Sequence, residues 1–193
     1  LDIAKLLIDN GANVNARDRS HDTALHYACM NGRLGAAKLL IDSGADVNAT
    51  EDHDLTALIL ACRRGDLNTA KLLIDNGANV NARAKSYRYV EGLSDSPLLA
   101  ACTVNNTELA KFLIERGADV NVKNKDNRAT PLSLAKKNKN QELIQLIEPL
   151  SKDIGTILKR FFSKTFRAIF KSKNEASVAH VAFNTNEAEV KIA

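Results

Sequence analysis

The sequence predicts an all-α solenoid of stacked helix pairs, and three observations predict it. The stretch Ala-Lys-Leu-Leu-Ile-Asp-Asn-Gly-Ala-Asn-Val-Asn-Ala-Arg at 70–83 recurs almost unchanged from Ala4, Ala37 and Ala110. Its glycines, Gly11, Gly44, Gly77 and Gly117, are spaced 33, 33 and 40 residues, so the last interval is the same unit with seven residues added. A second signal recurs in step: Thr23-Ala24-Leu25-His26, Thr56-Ala57-Leu58-Ile59, Ser96-Pro97-Leu98-Leu99 and Thr130-Pro131-Leu132-Ser133. A fixed period of this length means units that bury their apolar faces only by stacking.

Each unit follows from local chemistry. Ala70-Lys71-Leu72-Leu73-Ile74 is a helical run with Ala70, Leu72 and Leu73 able to face a neighbour. Asp75-Asn76-Gly77 stops it, because glycine takes the left-handed conformation at low cost. Ala78-Asn79-Val80-Asn81 reads as a short extended piece. Thr or Ser ahead of a good first-turn residue then opens the next helix.

The recurrent Thr-Pro-Leu-His-like and Gly-Ala-Asp-Val-Asn-like motifs resemble the ankyrin repeat family, whose unit is a hairpin loop and two antiparallel helices. The resemblance covers residues 1–148: a truncated unit at 1–17, then units at about 18–50, 51–83, 84–120 and 121–148. Leu1 falls inside a second helix, so the array is expected to continue upstream. Two hairpin tips depart from the family, with His21 and Asp54 where glycine is usual; these residue types tolerate positive φ. His26 is expected to bond between adjacent loops as the family's histidine does, since no nucleophile stands beside it.

In the second and third units Ala28, Gly32, Ala36, Ala37, Leu39, Leu40, Ala61, Gly65, Ala70, Leu72 and Leu73 occupy helix-packing positions. The seven added residues of the fourth unit lie between Asn81 and Ser96 and lengthen one hairpin finger. They carry Tyr87, Arg88 and Tyr89, residue types enriched at interface hot spots; the alternative is a loop of tolerated length. The fifth unit is polar through Lys136, Lys137, Asn138, Lys139, Asn140 and Gln141, as an end unit with a wet face must be. Glu148-Pro149 is expected to end the array.

The formal charge is +4 over 193 residues, yet 1–150 is balanced and the excess sits in 151–173, with seven basic residues against one acidic. No uncharged apolar run approaches the roughly 18 residues a membrane helix needs, and nothing reads as a signal peptide. Cys29, Cys62 and Cys102 each follow an alanine in a first helix and so share one structural column. Neighbouring helices pack with axes roughly 8–10 Å apart, beyond the roughly 7 Å Cα limit for a disulfide. The three are expected to be buried fillers. With no recurring acid/base pair, glycine-rich phosphate loop or metal-ligand spacing, the sequence argues against an enzyme and calls for no cofactor or metal.

After Pro149 the composition changes. Ser151 can cap a helix, and Ile154, Ile157, Leu158, Phe161, Phe162, Thr165, Ala168 and Ile169 share a stripe, with Phe166 and Phe170 nearby and Arg160, Lys164, Arg167 and Lys171 on a flank. A basic amphipathic helix at 149–173 either folds back as a cap on the last unit or lies on an anionic membrane or a partner, through Phe161, Phe162, Lys164, Arg167, Phe170 and Lys171. Nucleic acid is disfavoured, because the Phe stripe faces away from most of the charge. A mobile tail is expected at 174–193, with 178–183 able to pair as a strand.

The resemblance implies a protein-binding scaffold whose partner lies on the concave surface of hairpin tips and first helices. Carried over position by position, that surface comprises Arg19, Ser20, Asp22, Met30 and Asn31; then Asp52, His53, Leu55, Arg63 and Arg64; then Tyr87, Arg88, Tyr89, Thr103 and Val104. The alternative is a membrane-tethered adaptor using 151–171 as its anchor. Near-identical units rich in Lys, Asn and Ile resemble ankyrin proteins of intracellular bacteria, which implies a cytoplasmic location or delivery into a host cytosol.

Overall fold

The structure is a computed structural model, and it describes residues 2–85, 95–125 and 128–151. Among these are nine helices: α1 (Asp2–Asp9), α2 (Ala24–Met30), α3 (Leu34–Asp42), α4 (Ala57–Arg64), α5 (Leu67–Asp75), α6 (Pro97–Thr103), α7 (Thr107–Glu115), α8 (Pro131–Lys137) and α9 (Gln141–Leu150). Among the described residues the extended pairing amounts to one isolated bridge, Thr50 with Thr56. One compact unit runs Leu1–Ser151; the expected amphipathic helix and tail lie outside the described residues.

Capping places the helix starts. Thr23, Thr56, Ser96 and Thr130 sit in extended backbone and accept from the N–H three residues on, with Pro97 and Pro131 in the first turn behind the last two. A capping side chain of this kind satisfies an amide that the helix itself leaves bare. The helix stops are the expected glycines, with Gly11, Gly44, Gly77 and Gly117 at φ between 86° and 88°. His21 and Asp54 take φ of 62° and 59°, so the two non-glycine tips adopt the left-handed turn anyway.

Helices α2, α4, α6 and α8 pack side by side in one row, and α3, α5, α7 and α9 form a second row behind them. Neighbouring first helices touch more extensively than neighbouring second helices, so the stack closes toward the first-helix side. Leu25, Leu58, Ile59, Leu98 and Leu99 fill the first row; Leu73, Leu109, Leu113, Leu143 and Ile147 fill the second, all essentially without exposure. Each such side chain contributes roughly 1.5–3 kcal/mol relative to an exposed one. Cys29, Cys62 and Cys102 are unpaired and buried among them. Burial pushes the Cys29 and Cys102 thiols up to about 12 and Cys62 upward as well, which leaves all three unreactive at neutral pH.

Three expectations need correction. The Ala-Asn-Val-Asn piece is a turn: Asn13, Asp46, Asn79 and Asp119 each accept through Oδ1 from the N–H two residues on. Such a side chain offers the backbone a local partner in place of a strand. The array also continues past Pro149, which lies inside α9, and Ser151 closes that helix, its N–H bonding to the Ile147 carbonyl. Finally, Asn138 and Asn140 are not part of a wet end face. Their amides reach back to the Cys102 carbonyl and to Asn105 Oδ1 and Thr107 Oγ1 of the preceding unit.

The second asparagine of each turn joins the units. Asn15, Asn48 and Asn81 donate through Nδ2 to the carbonyls of Gly44, Gly77 and Gly117, at 2.9–3.0 Å. Their Oδ1 atoms accept from the N–H groups of Asp46, Asn79 and Asp119 at 2.8–2.9 Å. One side chain therefore satisfies a donor and an acceptor of the next turn, and the ladder holds successive fingers at one spacing.

Candidate functional site

The first-helix side carries two rows, the fingers at one end of the helices and the helix-end loops at the other. In the finger row Asp18 Oδ1 accepts from the N–H groups of Ser20 and Asp22 and Oδ2 from the Tyr27 hydroxyl at 2.7 Å. That hydroxyl holds the Asp18 carboxyl below its usual range, and Asp18 in turn raises the Tyr27 phenol. His21 Nδ1 lies 2.5 Å from Asp52 Oδ1 of the next unit, and Asp52 N–H donates to the Ser20 carbonyl at 3.2 Å. The next finger repeats the link, with Lys85 N–H on the His53 carbonyl and Lys85 Nζ 3.2 Å from Asp54.

His26 is a structural pin. Its Nδ1 accepts from the Thr23 N–H at 3.0 Å, so the proton is on Nε2, which donates to the Ala49 carbonyl at 3.0 Å. The ring joins one helix start to the next finger base. Asp22 Oδ1 lies 4.0 Å from that ring and is buried without a hydrogen bond; burial pushes its carboxyl above the usual range.

The long finger is closed at its neck. Ala84 N–H donates to the Asp95 carbonyl, and the Asp95 carboxylate, buried, accepts at Oδ2 from Arg83 Nη2 at 2.6 Å and from Lys125 N–H at 3.1 Å. Arg83 also donates to the Lys123 carbonyl, so the neck is fastened to the following finger. Tyr87, Arg88 and Tyr89 lie outside the described residues, as do Phe161, Phe162, Lys164, Arg167, Phe170 and Lys171.

Of the other expected surface residues, Arg19, Ser20, Met30, Asn31, Asp52, Arg64, Thr103 and Val104 are exposed, and Asp22, His53 and Arg63 are half-buried. Leu55 is not on the surface. At 6% exposed it belongs to the core, because the Thr50 to Thr56 bridge folds the base of the finger inward and Leu55 N–H is held by the Glu51 carboxylate. Tyr27, Arg33 and Leu34 are exposed on or beside this side and were not singled out from sequence. A signal for Arg33 was present: it stands where the other units have Asp66, Asn106 and Asn140, each capping its second helix through its side chain. Helix α3 has no such bond.

Among the described residues no group of three or more His, Cys, Asp and Glu is placed to hold a metal ion, and no helix is long and apolar enough to cross a membrane. What the fold defines is a helical repeat array. The chain belongs to the ankyrin repeat family: the model described as ankyrin repeats (3 copies) matches residues 1–84 and 88–157. No curated protein matches the chain. Ankyrin repeats generally mediate protein–protein interaction and are typically non-enzymatic modules.

Proposed function

We propose that this array is a scaffold that binds a partner protein across its fingers and first helices. The supporting observation is a contrast along α2, α4 and α6: their large apolar side chains are buried except Tyr27 and Met30, and with Val104 at the C-cap of α6 these stand 41–47% exposed. Exposed aromatic and aliphatic side chains between charged ones are the composition of an interface centre. Arg19, Ser20, Asp22, Asn31, Asp52, His53, Arg63, Arg64 and Thr103 surround them. Tyr87, Arg88 and Tyr89 join the surface by their place in sequence, between the fastened residues Lys85 and Asp95.

The test is affinity capture with the chain, with a Tyr27→Ala/Val104→Ala variant and with a 86–94 deletion that keeps Lys85 and Asp95. A partner retained by the chain and lost by the double variant, at unchanged helicity, supports the surface. Equal capture by all three removes it, and no enriched protein removes the scaffold reading. The membrane-tethered alternative rests on the sequence of 151–171 alone. Flotation of the whole chain with anionic liposomes, and its absence for residues 1–151, would favour it. A cytoplasmic site of action belongs to the same proposal and is supported by three unpaired cysteines.

A further inference from the structure

The helix-end row is physically continuous from the second unit to the fourth. Arg64 reaches back, Nη1 donating to the Met30 carbonyl at 3.2 Å, and its guanidinium covers Gly32 so closely that a Cβ there would meet Nη2 at 3.0 Å. Val104 Cγ2 lies 3.7 Å from where a Gly65 Cβ would stand, and Asn106 Nδ2 donates to the Gly65 carbonyl at 3.0 Å. Each loop thus rests on the one before it. Along this strip Met30, Leu34 and Val104 are 42, 40 and 41% exposed, and Arg33 and Arg64 are exposed beside them.

Charge is distributed unevenly over the array. Carboxylates of the fingers and outer helices face cations or polar hydrogens: Asp18 Tyr27, Asp52 His21, Asp54 Lys85, Asp75 Arg116 and Glu142 Lys111. In the strip the one carboxylate, Asp66, spends its two oxygens on the N–H and hydroxyl of Thr69. Among the described residues Arg64 is held by a carbonyl and by no carboxylate, and Arg33 occupies a capping position without capping.

We infer that this strip docks an acidic linear segment of a partner protein, with carboxylates on Arg33 and Arg64 and an aliphatic side chain between Met30 and Val104. The inference rests on the protein-binding reading above and names its partner chemistry. An arginine fork matches a carboxylate with two parallel hydrogen bonds, and an aliphatic residue gains from the apolar ground between them. A nucleic acid fits less well: apolar side chains interrupt the cations, and Asp18, Asp52 and Asp54 on the fingers repel a phosphate chain.

The test is fluorescence anisotropy of the full chain with three labelled probes: a nonapeptide of Leu and Glu, the same peptide with Lys for Glu, and a single-stranded oligothymidylate. The Glu peptide should bind, more weakly as salt rises, and the Lys peptide should not. Arg33→Asp and Arg64→Glu should each weaken the Glu peptide about tenfold, as expected for loss of one charge-assisted contact. Arg33→Asp should at the same time raise the unfolding midpoint, because Asp can cap α3; a merely structural role would move stability and binding together. No binding of the Glu peptide, equal binding of the Lys peptide, tighter binding of the oligonucleotide, or indifference to both substitutions overturns the inference. A captured protein that is lost with Tyr27→Ala/Val104→Ala but kept with Arg33→Asp would overturn it while leaving the scaffold standing.

Discussion

Helices α3 and α5 share the run Ala-Lys-Leu-Leu-Ile-Asp one period apart, yet they begin differently. Helix α5 opens on Asp66, whose carboxylate takes both the N–H and the hydroxyl of Thr69, and Thr69 is fully buried. Helix α3 opens on Arg33 with no side-chain bond, and its first residue, Leu34, is 40% exposed where Leu67 is half-buried. The ends of the two helices are alike, with Ser43 and Asn76 closing them through the same backbone pattern. Identical packing faces therefore leave each helix start free to be capped in one unit and uncapped and exposed in the next.

The largest effect should come from the shared face itself. Leu73 has no exposure and lies in a helix packed against both α3 and α7. Leu73→Ala should cost about 2–5 kcal/mol through the cavity it leaves. Leu40, its counterpart, is 8% exposed, and Leu40→Ala should cost less. Urea denaturation of the two variants measures the difference, and a larger loss at Leu40 would reverse the ranking of the two helices.

Next comes the ladder that holds the units together. Asn48 makes two bonds to the third unit, so Asn48→Ala removes both and leaves the Gly77 carbonyl and Asn79 N–H to water. At roughly 0.5–1.5 kcal/mol net per bond, about 1–3 kcal/mol should be lost. Asn15→Ala, which unties only the incomplete first unit, should lower the main thermal transition less. Equal shifts would mean that the first unit is as strongly coupled as the third.

The caps give a smaller effect with opposite signs. Asp66→Ala should cost about 1 kcal/mol and Arg33→Asp should add a similar amount. If both substitutions destabilise, the Arg33 side chain packs in a way that exposure and missing cap do not reveal.

The smallest effect is electrostatic and belongs to the second unit. The Tyr27 hydroxyl depresses the Asp18 carboxyl, so the bond contributes above the ordinary carboxylate range and is lost as pH falls through the lower folded value. Tyr27→Phe should move the Asp18 titration upward toward the usual range, read by carboxyl NMR. An unmoved titration would assign the depression to the backbone N–H groups of Ser20 and Asp22 instead.

The repeat period, the glycine stops, the Thr and Ser helix starts and the cysteine column were legible because each depends on residues a few positions apart or on recurrence at a fixed interval. The role of His26 was legible only through the family resemblance, since Ile59, Leu99 and Ser133 stand in its place in the other units. Leu55 was misplaced because its burial comes from the Thr50 to Thr56 bridge, which swings a finger base against the core. Asn138 and Asn140 read in sequence as part of a wet end face because their partners, Cys102, Asn105 and Thr107, lie a full unit upstream.

By itself, then, the sequence determined the units and their order, since backbone propensity and apolar spacing act within about ten residues. Only the tertiary structure decided which polar groups meet across 29 to 34 residues: Asn48 with Gly77, His21 with Asp52, Arg64 with Met30. Those pairings depend on how far each unit is rotated against the next. That angle is set by the packing of two helix rows at once and is carried by no single stretch of the chain.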